Sequence, residues 1–315
     1  MKTSRRIRLV YSKDYAVDIG NHVFPTSKYN RIKERLLKES DFRDIIDFVR
    51  PEPAPDEDLL LAHDRKYLDK LMGGTLSKEE IFKLELPYSK ELVRSSRICC
   101  GGTAMAVDIA LSDRLGIHVG GGFHHAFADH GEGFCVLNDI AVAARRAIRE
   151  RLVRRVMVID CDLHQGNGTA AIFADDPDVF TFSIHQENNY PFFKAKSCLD
   201  IGLRDRASDK EYLAALSENI PKIISDFKPG LLIYVAGADP YKDDRIGGLS
   251  ITKEGLNMRD EFIFKQAIHY NLPIAVVLAG GYAFDDADTV DIHYATITSG
   301  LRMMQGRPAV CARNS

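Results

Sequence analysis

The sequence predicts an α/β fold: a single domain over residues 1–315, built on an open, mostly parallel β-sheet with helices on both faces. Three observations lead there. Short apolar, β-branched runs alternate along the chain with longer stretches of helical pattern. The run at Val156–Asp160 is apolar almost throughout, as strands buried on both faces are. The residues with unusual chemistry fall just beyond the ends of these runs, where open α/β sheets bind ligands.

The strands expected, in order, are Ile7–Tyr11, Ile117–Val119, Val153–Ile159, Val179–Ile184, Leu231–Ala236 and Ile274–Leu278. The helices expected are Asn30–Glu39, Leu59–Met72, Lys90–Leu111, Ile140–Glu150, Lys210–Phe227 and Lys253–Tyr270, with Asn138 as N-cap of the fourth. The PEPAP segment, Pro51–Pro55, reads as a loop and not a domain boundary, because helical pattern resumes directly after it. There is no internal repeat, low-complexity tract or linker.

A compact chain of 315 residues buries roughly three-quarters of its unfolded surface, ample for a core. The formal net charge of -3 gives no electrostatic push toward nucleic acid or an anionic membrane. The one basic cluster, Arg145, Arg146, Arg149, Arg151, Arg154 and Arg155, falls at a helix end, where cations suit the dipole, and reads as solvated. Cys99, Cys100, Cys135, Cys161, Cys198 and Cys311 form no CxxC pair, and no signal peptide is apparent. They are expected to be reduced thiols of a cytoplasmic protein. No apolar run has the length for membrane insertion. The sequence leaves the oligomeric state open.

The segment Val156–Thr169, VMVIDCDLHQGNGT, carries the strongest chemical signal. Asp160, Asp162 and His164 are spaced by two and share one face of an extended chain, whereas Cys161 faces away to pack. Ionisable groups at the end of a buried strand call for a partner, and a metal ion is the usual one. Gly166–Thr169 then turns toward a helix. Asp162 and His164 with Asp239, which follows the Leu231–Ala236 strand, offer three ligands and leave one tetrahedral position open, the pattern of a catalytic zinc site. The same donors accept iron, manganese or cobalt. A lone Asp-x-His pair would be only a loop hydrogen bond. Here Asp160, the His124–His125 pair and Asp239 demand explanation together.

His124 and His125 follow Gly120–Gly122. If one pairs with Asp160 and the other with Asn167, their proton affinities separate, which suits acid and base roles. Tyr282, after Gly280 and Gly281, would present a phenol near the open metal position. His22, His63, His118, His130, His185, His269 and His293 read as packed or surface residues.

These motifs, Gly121-Gly122-Phe123-His124-His125, Gly133-Phe134-Cys135, Asp160-Cys161-Asp162-Leu163-His164, Ala238-Asp239 and Gly280-Gly281-Tyr282, resemble in order and spacing the zinc-dependent histone deacetylases of the arginase/deacetylase superfamily. The resemblance runs from about Tyr11 to about Thr298. Asn21-His22-Val23-Phe24-Pro25 and Asn167, where class I members usually carry Asp, are most similar to the class IV branch and its bacterial relatives. The resemblance implies that Asp162, His164 and Asp239 hold zinc. It makes His125 the general base and then acid, with His124 as its electrostatic partner. Asp160 would support His124, Asn167 would support His125, and Tyr282 would polarise the scissile carbonyl. Gly133 and Phe134 would line the acyl channel, with Tyr190 or Phe192 as a further wall. A structural potassium ion would sit on Asp160, Asp162, His164, Ser183 and Ile184. Glu85 stands in the stretch that matches the acidic substrate-holding loop of class I enzymes.

The reaction so implied is hydrolysis of an N-acyl-lysine or another acylated amine by zinc-activated water. Acetylated polyamines and other small amides are the alternative substrates. An arginase-like ureohydrolase needs further carboxylates where this chain has Gly166 and Gly237. A non-catalytic binding protein would typically have lost a ligand or the tyrosine, and this chain keeps them all.

Overall fold

The most apolar runs form the middle of the sheet. The computed structural model describes residues 6–304, and in it eight strands pair in parallel throughout. They are β1 (Ile7–Val10), β2 (Ile46–Val49), β3 (Leu115–His118), β4 (Val156–Asp160), β5 (Val179–Gln186), β6 (Leu199–Leu203), β7 (Leu231–Val235) and β8 (Ile274–Val277). Their order is β2-β1-β3-β8-β7-β4-β5-β6. Every residue of the four central strands, β3, β8, β7 and β4, is buried. Burial on both faces is why these runs are β-branched and apolar without alternation.

The helices are α1 (Lys28–Glu39), α2 (Asp56–Leu59), α3 (Arg65–Gly73), α4 (Lys78–Leu84), α5 (Lys90–Asp113), α6 (Asp139–Arg149), α7 (Asn167–Ile172), α8 (Asp209–Phe227), α9 (Lys253–His269) and α10 (Asp286–Met304). They pack as two groups, α5 with α6, and α1, α10, α9 and α8 in a row. No helix among the described residues is long and apolar enough to cross a membrane.

All six expected strands form, with ends shifted by a few residues, and the sheet is parallel without exception. The pattern misses β2 and β6 because both are edge strands. Their burial is partial and their residues mixed, IDFV and LDIGL, so no apolar run marks them. It also misses α4, the short α7, and α10, whose threonines are poor helix formers. The helix expected over Leu59–Met72 is two, α2 and α3. The chain leaves helix at Leu60–Asp64 so that His63 can be held between Phe127 O and Asn138 N, each at 2.9 Å.

Asn138 caps α6 by accepting from Ala141 N. The arginines at its other end are not simply solvated. Arg145 donates to the carbonyls of Leu61 and Ile172, and Arg146 and Arg149 pair with Asp58. Long side chains at a helix end reach across to neighbouring elements, which the one-dimensional pattern cannot show. The described cysteines are free thiols, and all but Cys198 are buried. Cys311 lies outside the described residues.

Two buried histidines predict how the fold responds to acid. Burial lowers His63 to about 4 and His118 to about 3. Both folded values lie below the unfolded value near ~6.5, so the unfolded chain binds more protons in between. The stability is therefore complete above about pH 6.5 and is lost as pH falls toward 4. Each of the two contributes a loss of about 1.4 kcal/mol per pH unit over that window, opposed by Asp239 and Asp244, which burial raises to about 6 and about 7. Urea unfolding of the wild type and of His63→Asn at pH 7 and pH 5 checks it: the variant should lose less stability between the two, and an equal loss contradicts it.

Candidate active site

The four central strands deliver the site from adjacent ends. His124 and His125 follow β3, Asp162 and His164 follow β4, Asp239 follows β7, and Tyr282 follows β8. β8 and β7 insert between β3 and β4, so the loops bearing Tyr282 and Asp239 open at the same end of the sheet as the histidine pair and the Asp-x-His loop. This is a switch point of the winding, where such sheets open a crevice.

The histidine pair rides on a glycine turn. Gly122 has a φ of +92°, and a Cβ there would fall 2.6 Å from the Cβ of Ala279, so only glycine fits. The amides of Gly122 and Phe123 donate to the Asp139 carboxylate, at 3.0 and 2.7 Å. Both rings are buried. His124 Nδ1 lies 2.7 Å from Asp160 Oδ2, and His125 Nδ1 lies 2.7 Å from Asn167 Oδ1. The two Nε2 atoms are 3.1 Å apart.

Their environments separate them. Burial opposes charge on His124, but Asp160 and Asp162 outweigh it and raise the imidazole to about 9. Burial, with the charges of His124 and His164, holds His125 well below its usual value. At neutral pH His124 is the cation and His125 the free base. The close approach of the two Nε2 atoms disfavours charge on both rings at once, which fits a charged His124 beside a neutral His125.

The expectation that Asp160, Asp162 and His164 share one strand face does not hold. β4 ends at Asp160, and the chain then turns. Asp160 Oδ1 accepts from Asp162 N at 3.1 Å, and Asp162 Oδ1 accepts from His164 N at 3.0 Å. Aspartates that bond to the amide two residues on bend the backbone in this way. Asp160 is thereby turned to His124, while Asp162 and His164 meet Asp239. Cys161 is buried, as its packing role requires.

Ligand atoms of Asp162, His164 and Asp239 lie within 4.8 Å of one another, all buried. His164 Nδ1 is 3.3 Å from both Asp162 Oδ1 and Asp239 Oδ2. Asp239 Oδ2 has no hydrogen-bond partner among the described residues. A Cβ at Gly280 would fall 2.0 Å from that oxygen, so the backbone closes tightly round it. Burial opposes charge on His164, yet the two carboxylates raise it to about 10. The same excess of buried negative charge draws a cation. Two carboxylates and an imidazole with an orphaned inward oxygen fit a divalent metal ion.

Tyr282 is set by its backbone. Its N–H donates to Asp244 Oδ2 at 2.7 Å, and its carbonyl accepts from Arg245 N at 3.0 Å. Its ring packs on Phe24 and Phe134, with centroids 6.2 and 6.0 Å away. Burial, reinforced by Asp239 and Asp162, pushes the phenol well above its usual range, so it stays a donor. Phe24, Phe123, Gly133, Phe134 and Tyr282 line a narrow cavity that ends on His125, Asp162 and His164. Tyr190 stands edge-on to His125 at 4.9 Å. Phe192, the other expected wall, is 88% exposed, and neither it nor Tyr190 is among the residues that line the cavity. Glu85 is exposed at the end of α4, with its carbonyl 3.0 Å from His22 Nε2. Asp160 and Ser183 are partners in the β4–β5 register, and Ser183 and Ile184 are buried.

Four residues escape the sequence reading. Asp139 holds the glycine turn, Asp244 holds the Tyr282 turn, and Glu132 accepts from Asn167 Nδ2 at 2.8 Å. Lys28 is wholly buried and donates to Ala279 O at 2.7 Å. Burial lowers it to about 8, against the pull of Asp239, Asp162 and Asp244. Only Asp139 had a local signal, the Asn138-Asp139 start of a helix, and that is explained by capping alone. The others act across the fold.

Comparison with known proteins places this architecture. Residues 22–297 match the family described as the histone deacetylase domain. The chain is 37% identical over 292 residues to an uncharacterized protein of Picosynechococcus, covering 90% of this chain and 95% of that one. It is 30% identical over 298 residues to histone deacetylase 2 of Arabidopsis thaliana, covering 90% and 77%. The crystal structure of the HDA15 HD domain superposes with a TM-score of 0.76 at 20% identity, covering 95% of this chain and 91% of that one, a likeness of fold. Fold and family together define a deacetylase-type hydrolase. The chain belongs to the histone deacetylase family, which is generally metal-dependent.

Proposed function

We propose that this chain, as one domain over residues 1–315, is a zinc-dependent deacylase of N-acyl-lysine or a related acylated amine. One observation carries the reading. An aromatic-walled slot ends on Asp162 and His164, which with Asp239 form a buried cluster, and a neutral His125 and a protonated Tyr282 stand beside it. Asp162, His164 and Asp239 would hold the zinc. When bound, that ion supplies Lewis-acid polarisation and makes water acidic enough to react near neutral pH. His125 Nε2 accepts a proton from the attacking water and returns it to the departing amine nitrogen. His124, charged through Asp160, gives a fixed positive field beside the developing oxyanion. Tyr282 donates its hydroxyl to that oxyanion. Gly133, Phe134 and Tyr190 would flank the acyl chain. Asp160, Asp162, His164, Ser183 and Ile184 would hold a structural potassium ion.

A two-metal ureohydrolase is disfavoured by the glycines. A Cβ at Gly166 would meet Asp160 Oδ2 at 2.4 Å, and one at Gly237 would meet Asp162 Oδ2 at 2.5 Å. Neither position has room for a further carboxylate.

The test is amine release from acetyl-, octanoyl- and myristoyl-lysine peptides and from acetylated polyamines, using zinc-reconstituted protein. Turnover of at least one substrate, lost in Asp239→Ala, is the expected result. Silence across the panel in protein that holds zinc would overturn the reading.

A further inference from the structure

Asn167 stands where the direction of a side-chain amide decides the chemistry. Its oxygen can only accept and its nitrogen can only donate. With the oxygen toward His125, the ring must carry its proton on Nδ1 and leave Nε2 bare. With the nitrogen toward His125, the proton moves to Nε2 and the base is lost. Nothing in the local backbone chooses, since either end fits the same space.

Glu132 supplies the choice. Its Oε1 lies 2.8 Å from Asn167 Nδ2, and an ionised carboxylate only accepts. A flipped Asn167 would set oxygen against oxygen there and N–H toward the ring nitrogen that now donates. Glu132 is itself pinned. Tyr190 donates its hydroxyl to the same Oε1 at 2.8 Å, and His130 Nε2 approaches Oε2 at 3.3 Å. Lys83 Nζ lies 3.9 Å from Oε2. The Glu132 and Cys135 backbones exchange two hydrogen bonds, of 3.1 and 2.9 Å.

We propose that Glu132 is a positioning residue that selects the Nδ1–H tautomer of His125 by fixing which end of Asn167 faces the ring. The inference rests on the catalytic role given above to His125. The tautomer itself is observable without turnover. Glu132 touches neither substrate nor reacting atoms and acts through Asn167.

The experiment uses zinc-loaded protein with 15N-labelled histidine, His125 being assigned by its loss in His125→Ala. Wild-type His125 should show a protonated Nδ1 and a bare Nε2. Glu132→Leu should shift the ring toward the Nε2–H form and lower kcat by roughly 10–100-fold, the usual cost of losing an outer-shell partner. Glu132→Gln keeps an oxygen for Asn167 Nδ2 and should restore the wild-type tautomer. In an Asn167→Asp background both ends are oxygens, so Glu132→Leu should cost far less. Two results overturn the proposal: a Glu132→Leu ring still protonated at Nδ1, or the same loss of kcat in both backgrounds. If the wild type turns over no substrate, the function reading fails while the tautomer result still decides the role of Glu132.

Discussion

Asp239→Asn should strip the protein of its metal and its activity while leaving the fold intact. Asp239 Oδ1 accepts from Leu163 N at 2.9 Å, and an asparagine oxygen keeps that bond. What changes is the inward atom, Oδ2, which becomes a donor pointing at His164. Loss of an outer-shell partner alone costs ~10–100-fold in metal affinity, so loss of a ligand should cost more. Turnover should fall to background. Burial and the nearby Asp162 raise the Asp239 carboxyl to about 6, a sign that its charge is paid for by function and not by stability. The metal-free variant should therefore melt at or above the metal-free wild type. Chelator competition and calorimetry read the two effects separately. A variant that holds metal as tightly as the wild type would remove Asp239 from the ligand set.

Tyr282→Phe should lower kcat by about 10²–10³, as loss of one oxyanion donor does elsewhere, with metal content and KM little changed. The packing on Phe24 and Phe134 survives, because phenylalanine keeps the ring. The bond from its N–H to Asp244 is backbone and survives too. The hydroxyl makes no hydrogen bond to another described residue, so nothing in the fold depends on it. A drop confined to kcat locates the hydroxyl in the transition state. Undiminished turnover would exclude it.

Much of this is legible in the sequence. Apolar runs marked the central strands because burial on both faces leaves no polar positions to confuse the pattern. Motif spacing marked Asp162, His164, Asp239, the histidine pair and Tyr282 as the residues to watch. The errors have equally physical causes. The spacing of Asp160, Asp162 and His164 extends strand geometry past Asp160, whereas the aspartates turn the chain by bonding to amides two residues on. The segment Gln186–Phe193 stands where the resembled family has a channel wall, but the side chain of Phe192 turns out to solvent.

The division between sequence and structure follows the range of the interactions. A local pattern carries what neighbours along the chain decide: strand or helix, a cap at Asn138, the donor atoms available. By itself the sequence therefore determined a parallel α/β sheet with metal-ligand chemistry at its strand ends. It could not rank partners brought together by the insertion of β8 and β7 between β3 and β4. Asn167 illustrates the limit. Its identity is read at a glance, but its direction depends on Glu132, which lies 35 positions away and meets it only through the tertiary fold. Hydrogen bonds act over a few ångströms, so only the packed molecule says which of the two histidines is left free to take a proton.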